Sequence, residues 1–326
     1  MQPHQLNPKI SPQFSAVNDF IIEHLGSNVP LVEKIGHYIV QSGGKRFRPL
    51  LVLLASNVCR YPKIESDIDH IKLAAIIEFI HTATLLHDDV VDNSDLRRGK
   101  DTANAKWGNA PSVLVGDFLY SRAFQIMVDI GKLDIMNVIS NATNVIAEGE
   151  VLQLLNARNP DLSEDDYMNV IIAKTAMLFE AAAESGAILA DASRIERTAM
   201  QLYGRHLGIA FQLVDDVMDY LSNADEMGKN AGDDLAEGKA TLPLIQAMKE
   251  ASPKNRKLIR RAIREGGLED LSPVLSAIKN TNAIKYTQDK ALEHANIAID
   301  CLKDIADSSF KQTLITLAEL AVDRKA

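Results

Sequence analysis

The sequence predicts an all-α protein, and three features of the 326-residue chain support this fold class. Apolar residues recur along most of the chain at the spacing of amphipathic helices. No segment shows a convincing alternation of apolar and polar residues, and no Asn-Gly or Asp-Gly pair marks a β-hairpin turn. Proline, glycine and serine stand where helices begin and end. We therefore expect a single domain over residues 1–326, with long helices around a central cavity.

The first half of the chain contains six predicted helices. In chain order, they begin at or near Pro12, Leu31, Pro49, Ser66, Pro111 and Leu133. Gly26 ends the first helix and Gly43 the second, whereas Ser66 and Asp69 resemble a capping box for the long fourth helix. The polar segment 93–109 interrupts the helical pattern and is predicted to be a loop.

The second half continues in the same style. Ser163 caps a predicted helix that runs to about Leu189, and Ser193 with Glu196 caps the next one. About four further helices fill residues 241–326. Two segments break the pattern: residues 156–162 are a short connector, and residues 222–239 are charged and glycine-rich. We expect the second of these to be a mobile lid.

Composition excludes several classes of function. Hydrophobic residues make up 46% of the chain, which suits a globular core, and the net charge is −9. So acidic a chain lacks the basic surface that nucleic acids require, and we expect no nucleic-acid partner. Two cysteines suggest a reducing compartment and no disulfide framework. No run approaches the roughly 20 apolar residues of a membrane span, and the N-terminus does not resemble a secretory signal, so we expect a cytoplasmic protein.

Two aspartate clusters of identical D-D-x-x-D form are the most informative motifs. Their members are Asp88, Asp89 and Asp92 in the first cluster and Asp215, Asp216 and Asp219 in the second. On a helix, the first and fifth residues lie about 40° apart, so the carboxylates repel one another unless a cation intervenes. Oxygen ligands suit Mg²⁺, which bridges to phosphate. A single cluster is more typical of a solvated acidic face, but two that face one cavity would form a multi-metal site for a polyphosphate.

Basic residues near these motifs are candidates for phosphate binding. They are Lys45, Arg48, Arg97, Arg98 and Lys174. The segment 43–49, Gly-Gly-Lys-Arg-Phe-Arg-Pro, combines two of these cations with glycines at a helix start, where backbone N–H groups can approach an anion. Lys174 lies in the apolar stretch 170–179, so it needs an anionic partner or must extend to solvent. His81 lies two helical turns before Asp88 and is expected on the same helix face, although a buried structural histidine is an alternative.

The motifs occur together in the order seen in one family, and the chain resembles the trans-isoprenyl diphosphate synthases. The resemblance spans about Ile35 to Leu244 and adds Thr175, Gln212 and the segment 232–239 to the motifs above. It implies a single large bundle of mostly antiparallel helices around a deep central cavity. It also implies a Mg²⁺-dependent prenyltransferase, usually a homodimer. Such an enzyme joins isopentenyl diphosphate to an allylic diphosphate such as farnesyl diphosphate, for the side chain of ubiquinone or menaquinone. A transient membrane contact for product release is compatible with it.

The resemblance also implies roles for individual residues. Three Mg²⁺, with Mn²⁺ as an alternative ion, would be held by Asp88, Asp92, Asp215 and Asp219. The residues implied to be catalytic are Asp88, Asp89, Asp92, Lys174, Asp215 and Asp216. Those implied to bind isopentenyl diphosphate are Lys45, Arg48, His81 and Arg98. Those implied to bind the allylic diphosphate are Arg97, Lys174, Thr175, Gln212, Lys229 and Lys239.

Product length in this family depends on the residues just before the first cluster. Ala83 and Thr84 are small, so a growing chain could pass them, and deeper floor residues would be Phe124, Met127 or Met136. Ordinary core packing is an alternative for these last three. We expect a long product, octaprenyl first and heptaprenyl or nonaprenyl next, with a shorter farnesyl or geranylgeranyl product as an alternative.

Three other kinds of protein remain alternatives at this point. A non-catalytic regulatory subunit of a heteromeric synthase would have lost one aspartate cluster, and this chain keeps both. A class I terpene cyclase would not need the Lys45 and Arg48 site for a second diphosphate. A helical binding or scaffold protein would carry the aspartates as solvated faces and would not bind diphosphate with Mg²⁺.

Overall fold

The structure, a computed structural model, describes residues 3–60, 68–221, 232–266 and 271–323. A 3₁₀ turn at Pro3–Leu6 precedes the first α-helix. The helices of the first half are α1 (Ser11–Glu23), α2 (Pro30–Gln41), α3 (Phe47–Val58), α4 (Asp69–Val91), α5 (Ala103–Trp107), α6 (Asn109–Ile130) and α7 (Leu133–Asn156). The all-α prediction is confirmed, because regular structure in the described ranges is almost entirely helical.

The second half is also helical. Its helices are α8 (Glu164–Ile171), α9 (Met177–Leu189), α10 (Arg194–Leu221), α11 (Asp233–Ala236), α12 (Leu242–Glu250), α13 (Pro253–Glu265), α14 (Leu271–Lys279), α15 (Ala283–Cys301) and α16 (Ser309–Val322). The predicted cap of α8 is present, since the Asp166 amide donates to Ser163 Oγ over 3.0 Å. Ser193 and Glu196 form the predicted capping box of α10.

The chain contains two compact units, and the single-domain expectation stays a prediction. The first unit comprises Met1–Ala142, Leu178–Gly204 and Cys301–Leu317. Its core is built on α3, in which every residue from Leu50 to Ala55 is fully buried. A helix that is apolar on all sides must be surrounded by other elements. Helix α4 packs against α6, α3 and α1.

The second unit comprises Thr143–Met177, Arg205–Asp300 and Ala318–Ala326. Its apolar core joins residues from α8, α10 and the helices α12 to α15, among them Leu213, Leu244 and Ile263. Ion pairs support this core at its surface, since Arg260 donates to both carboxylate oxygens of Asp161.

Short strands were not predicted, and here the structure corrects the sequence reading. Strand β1 (Leu96–Arg97) pairs antiparallel with β2 (Lys100–Asp101). Arg98 (φ 54°) and Gly99 (φ 73°) both adopt left-handed backbone, as the two central residues of a type I′ hairpin turn require. The turn therefore uses Arg-Gly where Asn-Gly or Asp-Gly is the usual signal. The predicted loop 93–109 also contains the short helix α5, which Thr102 caps.

Further differences concern helix boundaries. The helix predicted from Ser163 to Leu189 is divided by a π-helical turn at Ile172–Ala176. Of the residues after 241 that the structure describes, five stretches are helical, close to the expected number of about four. The Ser66 cap, Lys229 and residues 222–231 of the expected lid lie outside the described residues. Over the ranges given above, no helix is both long and apolar enough to cross a lipid bilayer.

Candidate active site

The first aspartate cluster lies at the C-terminal end of α4. Asp88 and Asp89 are in the last turn, and Asp92 is the C-cap residue, its amide donating to the Asp88 carbonyl over 2.8 Å. The C-terminus of a helix carries a partial negative charge, so carboxylates are unfavourable there and a cation is favourable. Asp88 and Asp92 are half-buried, whereas Asp89 is only 1% exposed. Local electrostatics at this position therefore favour a bound cation.

Asp89 is held by Arg97 of strand β1. Its Oδ1 accepts a hydrogen bond from Arg97 Nε at 2.8 Å, and Arg97 Nη2 lies 2.7 Å from the same oxygen as an ion pair. The hairpin therefore turns the chain back so that an arginine eight residues later reaches the buried carboxylate. Arg97 was predicted to bind the allylic diphosphate, and the structure shows this second role for it.

The glycine-rich segment lies against the hairpin turn. Gly44 has φ 143°, and a Cβ at this position would lie 2.8 Å from Arg98 Nη1 and 3.2 Å from Arg98 Cζ. A Cβ would make the exposed Arg98 side chain shift, and the positive φ of Gly44 favours glycine whatever the space. The fold thus brings together two motifs that lie more than 50 residues apart in the sequence.

Arg48 and His81 are direct partners. Arg48 Nη1 donates to His81 Nε2 over 3.2 Å, and the Arg48 guanidinium lies 4.3 Å from the centre of the Phe179 ring. The structure therefore places two residues that were predicted to bind isopentenyl diphosphate in contact, and that role stays a prediction. Burial and the charges of nearby arginines lower the pKa of His81 well below 6.5, so its imidazole is neutral at pH 7.

Glu78, one helical turn before His81, was not among the predicted site residues. Its Oε1 lies 3.7 Å from Arg46 Nε, and burial raises its pKa above 4.5 against the opposing effect of the surrounding arginines. Arg46 also donates to Asn18 Oδ1 and to the Val40 carbonyl. The sequence signal for Glu78 was its i, i+3 spacing to His81.

The second cluster lies at the C-terminal end of α10, in the same electrostatic setting as the first. Asp215 is half-buried, and Asp216 and Asp219 are buried. Asp216 Oδ1 accepts from Gln212 Nε2 at 2.7 Å, and Gln212 Oε1 accepts from Thr175 Oγ1 at 2.9 Å. The structure therefore joins Gln212 and Thr175 to the cluster, while their predicted contact with the allylic diphosphate stays a prediction.

Tyr167 of α8 completes this network and was missed by the sequence reading. Its hydroxyl donates to Asp216 Oδ2, and its ring is buried. Burial raises the pKa of Asp216 well above 3.8, with repulsion from Asp234 as a further cause. A bound cation would lower the pKa of Asp216. No sequence signal identified Tyr167, because it lies 49 residues from Asp216 and in no recognisable motif.

Lys174 has the anionic partner that its apolar surroundings predicted. Its Nζ lies 2.6 Å from Glu150 Oε2 of α7. Lys174 and Thr175 lie in the π-helical turn, a feature common at functional sites. A Cβ on Gly149 would lie 2.9 Å from Ala173 Cβ, so a glycine lets α7 approach this turn. Lys239, another predicted phosphate ligand, pairs with Glu237.

The predicted chain-length residues all belong to the first unit. Ala83 and Met127 are buried, and Thr84, Phe124 and Met136 are half-buried. Thr84 Oγ1 donates to the His81 carbonyl over 2.8 Å. The role of these five residues, like the cavity that the two clusters were expected to share, stays a prediction.

The donor set fits a hard divalent cation. Both clusters offer only carboxylate oxygens, and Asp89 Oδ2 is buried without a hydrogen-bond partner in the described part of the chain. Within that same part, no three His, Cys, Asp or Glu side chains are gathered to enclose an ion. Mg²⁺ suits such a site, because it keeps several waters and takes one or two carboxylates plus substrate phosphates.

Comparisons with known proteins agree with this geometry. The family model for polyprenyl synthetase matches residues 29–280. An octaprenyl diphosphate synthase of Escherichia coli K12 is 50% identical over 99% of both chains. An all-trans-nonaprenyl-diphosphate synthase of Rhodobacter capsulatus is 46% identical over 97% of this chain and 96% of its own. A crystal structure of a polyprenyl synthase from Caulobacter crescentus CB15, complexed with calcium and isoprenyl diphosphate, superposes with a TM-score of 0.95. That protein is 41% identical, covering 99% of this chain and 98% of the other.

Proposed function

This chain belongs to the polyprenyl synthetase family, and from that premise we propose that it is an octaprenyl diphosphate synthase. It is a prenyltransferase that adds isopentenyl diphosphate units to an allylic diphosphate such as farnesyl diphosphate. The observation that carries the proposal is the 50% identity to the Escherichia coli enzyme over the whole chain. A quinone of the ubiquinone or menaquinone type is the proposed destination of the polyprenyl chain.

The proposed metal ion is Mg²⁺, held by Asp88, Asp92, Asp215 and Asp219. Support comes from the oxygen-only donor set at two helix C-termini and from the calcium in the Caulobacter crescentus relative. When bound, the ions neutralise charge on the diphosphate as its bond to the allylic carbon breaks. Three ions per site, as the family resemblance implies, are part of the proposal.

The chain's own cations act on the same leaving group. Lys174 and Lys239 are proposed to donate to phosphate oxygens as negative charge develops there, and Thr175 and Gln212 are proposed to bind the same diphosphate. Asp89 keeps Arg97 beside the first cluster through the hydrogen bond and ion pair described above. The contacts between these cations and the phosphate oxygens strengthen as the carbon–oxygen bond breaks. Only interactions that are stronger in the transition state than in the bound substrate accelerate the reaction.

Isopentenyl diphosphate is proposed to bind at Lys45, Arg48 and Arg98. Neutral His81 adds a hydrogen-bonding group without adding charge. The double bond of this substrate attacks the allylic carbon, and the departed diphosphate takes the proton that is then lost. No protein nucleophile is required. Apolar walls around the hydrocarbon keep water from the allylic cation.

A product assay tests the proposal. The purified protein is incubated with farnesyl diphosphate, radiolabelled isopentenyl diphosphate and Mg²⁺, with an EDTA control, and the dephosphorylated products are separated by reverse-phase chromatography. A Mg²⁺-dependent ladder that ends at octaprenol is expected. A ladder ending at nonaprenol would favour the activity named for the Rhodobacter capsulatus relative, whose identity to this chain is nearly as high.

The assay also separates the alternative of another class. A non-catalytic regulatory subunit would incorporate no label alone, whereas this chain keeps both aspartate clusters and is expected to be active without a partner protein. A homodimer in the cytoplasm is the proposed form. Gel filtration with light scattering tests the oligomeric state, and a monomer that retains full activity would overturn it.

A further inference from the structure

Asp216 is a buried carboxylate whose two oxygens both have protein donors. Gln212 Nε2 donates to Oδ1 at 2.7 Å, and the Tyr167 hydroxyl donates to Oδ2. The residue is 2% exposed. Each oxygen thus already accepts one hydrogen bond from the protein, and Asp216 is buried whereas Asp215 beside it is half-buried. These contacts fix the position of the Asp216 side chain relative to α8.

Tyr167 makes this contact from a different element. It lies on α8, seven residues before Lys174, and only 4% of its surface is exposed. Its ring packs in the apolar core with Leu213 and Ile245, so the position of its hydroxyl is set by packing. A buried phenol finds a hydrogen-bond partner, and this one is directed at the second cluster.

We propose that Tyr167 is a positioning residue for the second aspartate cluster. Through Asp216 it fixes the last two turns of α10, so that Asp215 and Asp219 present their carboxylates to divalent cations. A continuous chain of hydrogen bonds supports this role: Thr175 to Gln212, Gln212 to Asp216, and Tyr167 to Asp216. It ties the π-helical turn and α8 to the helix that bears the cluster.

Loss of the hydroxyl should therefore loosen metal binding more than it affects folding. Groups that orient metal ligands typically change metal affinity or activity by about 10- to 100-fold when they are removed. One hydrogen bond of several is lost here, so we expect an effect of about 10-fold. The inference rests on the proposed function, because it takes the second cluster to be a divalent-cation site.

The experiment compares Tyr167→Phe with a matched control, Tyr203→Phe. Tyr203 is also buried, and it lies on α10, but its hydroxyl donates to the Leu314 carbonyl over 2.7 Å and not to a carboxylate. Two readouts are used: the Mg²⁺ concentration at half-maximal prenyl transfer, and the rise in unfolding temperature produced by MgCl₂ with inorganic diphosphate.

Tyr167→Phe should raise the half-maximal Mg²⁺ concentration about 10-fold and diminish the rise in unfolding temperature. Tyr203→Phe should change the unfolding temperature measured without metal. It should leave the half-maximal Mg²⁺ concentration and the metal-induced rise unchanged. Equal Mg²⁺ dependence in wild type and Tyr167→Phe would overturn the inference, as would an equal change in both variants. If Tyr167→Phe is poorly folded, the same contact is altered from its other side in Asp216→Asn, which is compared with wild type by the thermal measurement. The metal-induced rise should diminish there as well, and an undiminished rise would refute the inference. A wild-type protein that makes no product refutes the proposed function instead, while the thermal measurement still tests Tyr167.

Discussion

Replacing Arg97 with alanine should destabilise the first unit through Asp89. The Asp89 carboxylate is 1% exposed, and its Oδ1 accepts a hydrogen bond from Arg97 Nε and forms an ion pair with Arg97 Nη2. Its other oxygen accepts no hydrogen bond from the described residues. Arg97→Ala therefore leaves a buried negative charge at the C-terminal end of a helix, where the helix dipole opposes it.

The expected magnitude follows from this burial. Removing one partner of a buried ion pair costs about 3–5 kcal/mol, because the remaining charge has lost its compensation. The Arg97 side chain is 20% exposed, so water can partly replace it. We therefore expect the lower end of the range, about 3 kcal/mol of unfolding free energy.

Equilibrium unfolding in urea, with EDTA present so that no metal contributes, measures the change. Arg98→Ala is the matched control, because Arg98 is the next residue and is exposed. Its substitution should alter the unfolding free energy by no more than about 0.5 kcal/mol. If Arg97→Ala and Arg98→Ala gave the same small change, the argument that Arg97 neutralises a buried Asp89 would be refuted.

Two further predictions concern product length and pH. Ala83 is fully buried on α4, and Ala83→Phe should shorten the product ladder on reverse-phase chromatography; an unchanged length would mean that residue 83 does not line the path of the growing chain. His206 and His294 share an Nδ1 to Nδ1 contact of 2.9 Å. Burial lowers the pKa of His206 below 6.5, and burial with the neighbouring His206 lowers the pKa of His294 to about 4. Between pH 6.5 and about pH 4, these two histidines therefore bind more protons in the unfolded chain than in the folded one. The unfolding temperature should fall as pH drops from 6.5 toward 4, less steeply in His294→Gln, and parallel profiles would contradict this.

Much of the fold was predictable because helices are specified locally. Apolar spacing, Ser163 and the Ser193–Glu196 capping box act within a few residues, and the structure confirms both caps. The β1–β2 hairpin was missed, since its turn uses Arg98 in left-handed backbone rather than asparagine or aspartate. The π-helical turn was also missed, because nothing in the local pattern distinguishes it from α-helix.

The candidate site was predictable in its residue types and less so in its contacts. The sequence left Lys174 either an anionic partner or a path to solvent, and the structure pairs it with Glu150. The sequence grouped the glycine-rich segment with Arg98 only by resemblance, whereas the structure places Gly44 beside the Arg98 guanidinium. Glu78 had only its spacing to His81 as a signal, and Tyr167 had none, since its importance arises from neighbours that folding brings to it.

The sequence by itself determined that two D-D-x-x-D clusters lie at helix ends, with hard oxygen donors and cations nearby. This information is local, because helix periodicity and side-chain chemistry depend on residues within a few positions of one another. Only the tertiary structure decided which carboxylates are already engaged. Asp89 is bound by Arg97 and Asp216 by Tyr167 and Gln212, while Asp88 and Asp215 are more accessible. The physical reason is that burial and hydrogen-bond partners depend on elements distant in the chain. Two motifs of identical form do not specify those distant elements.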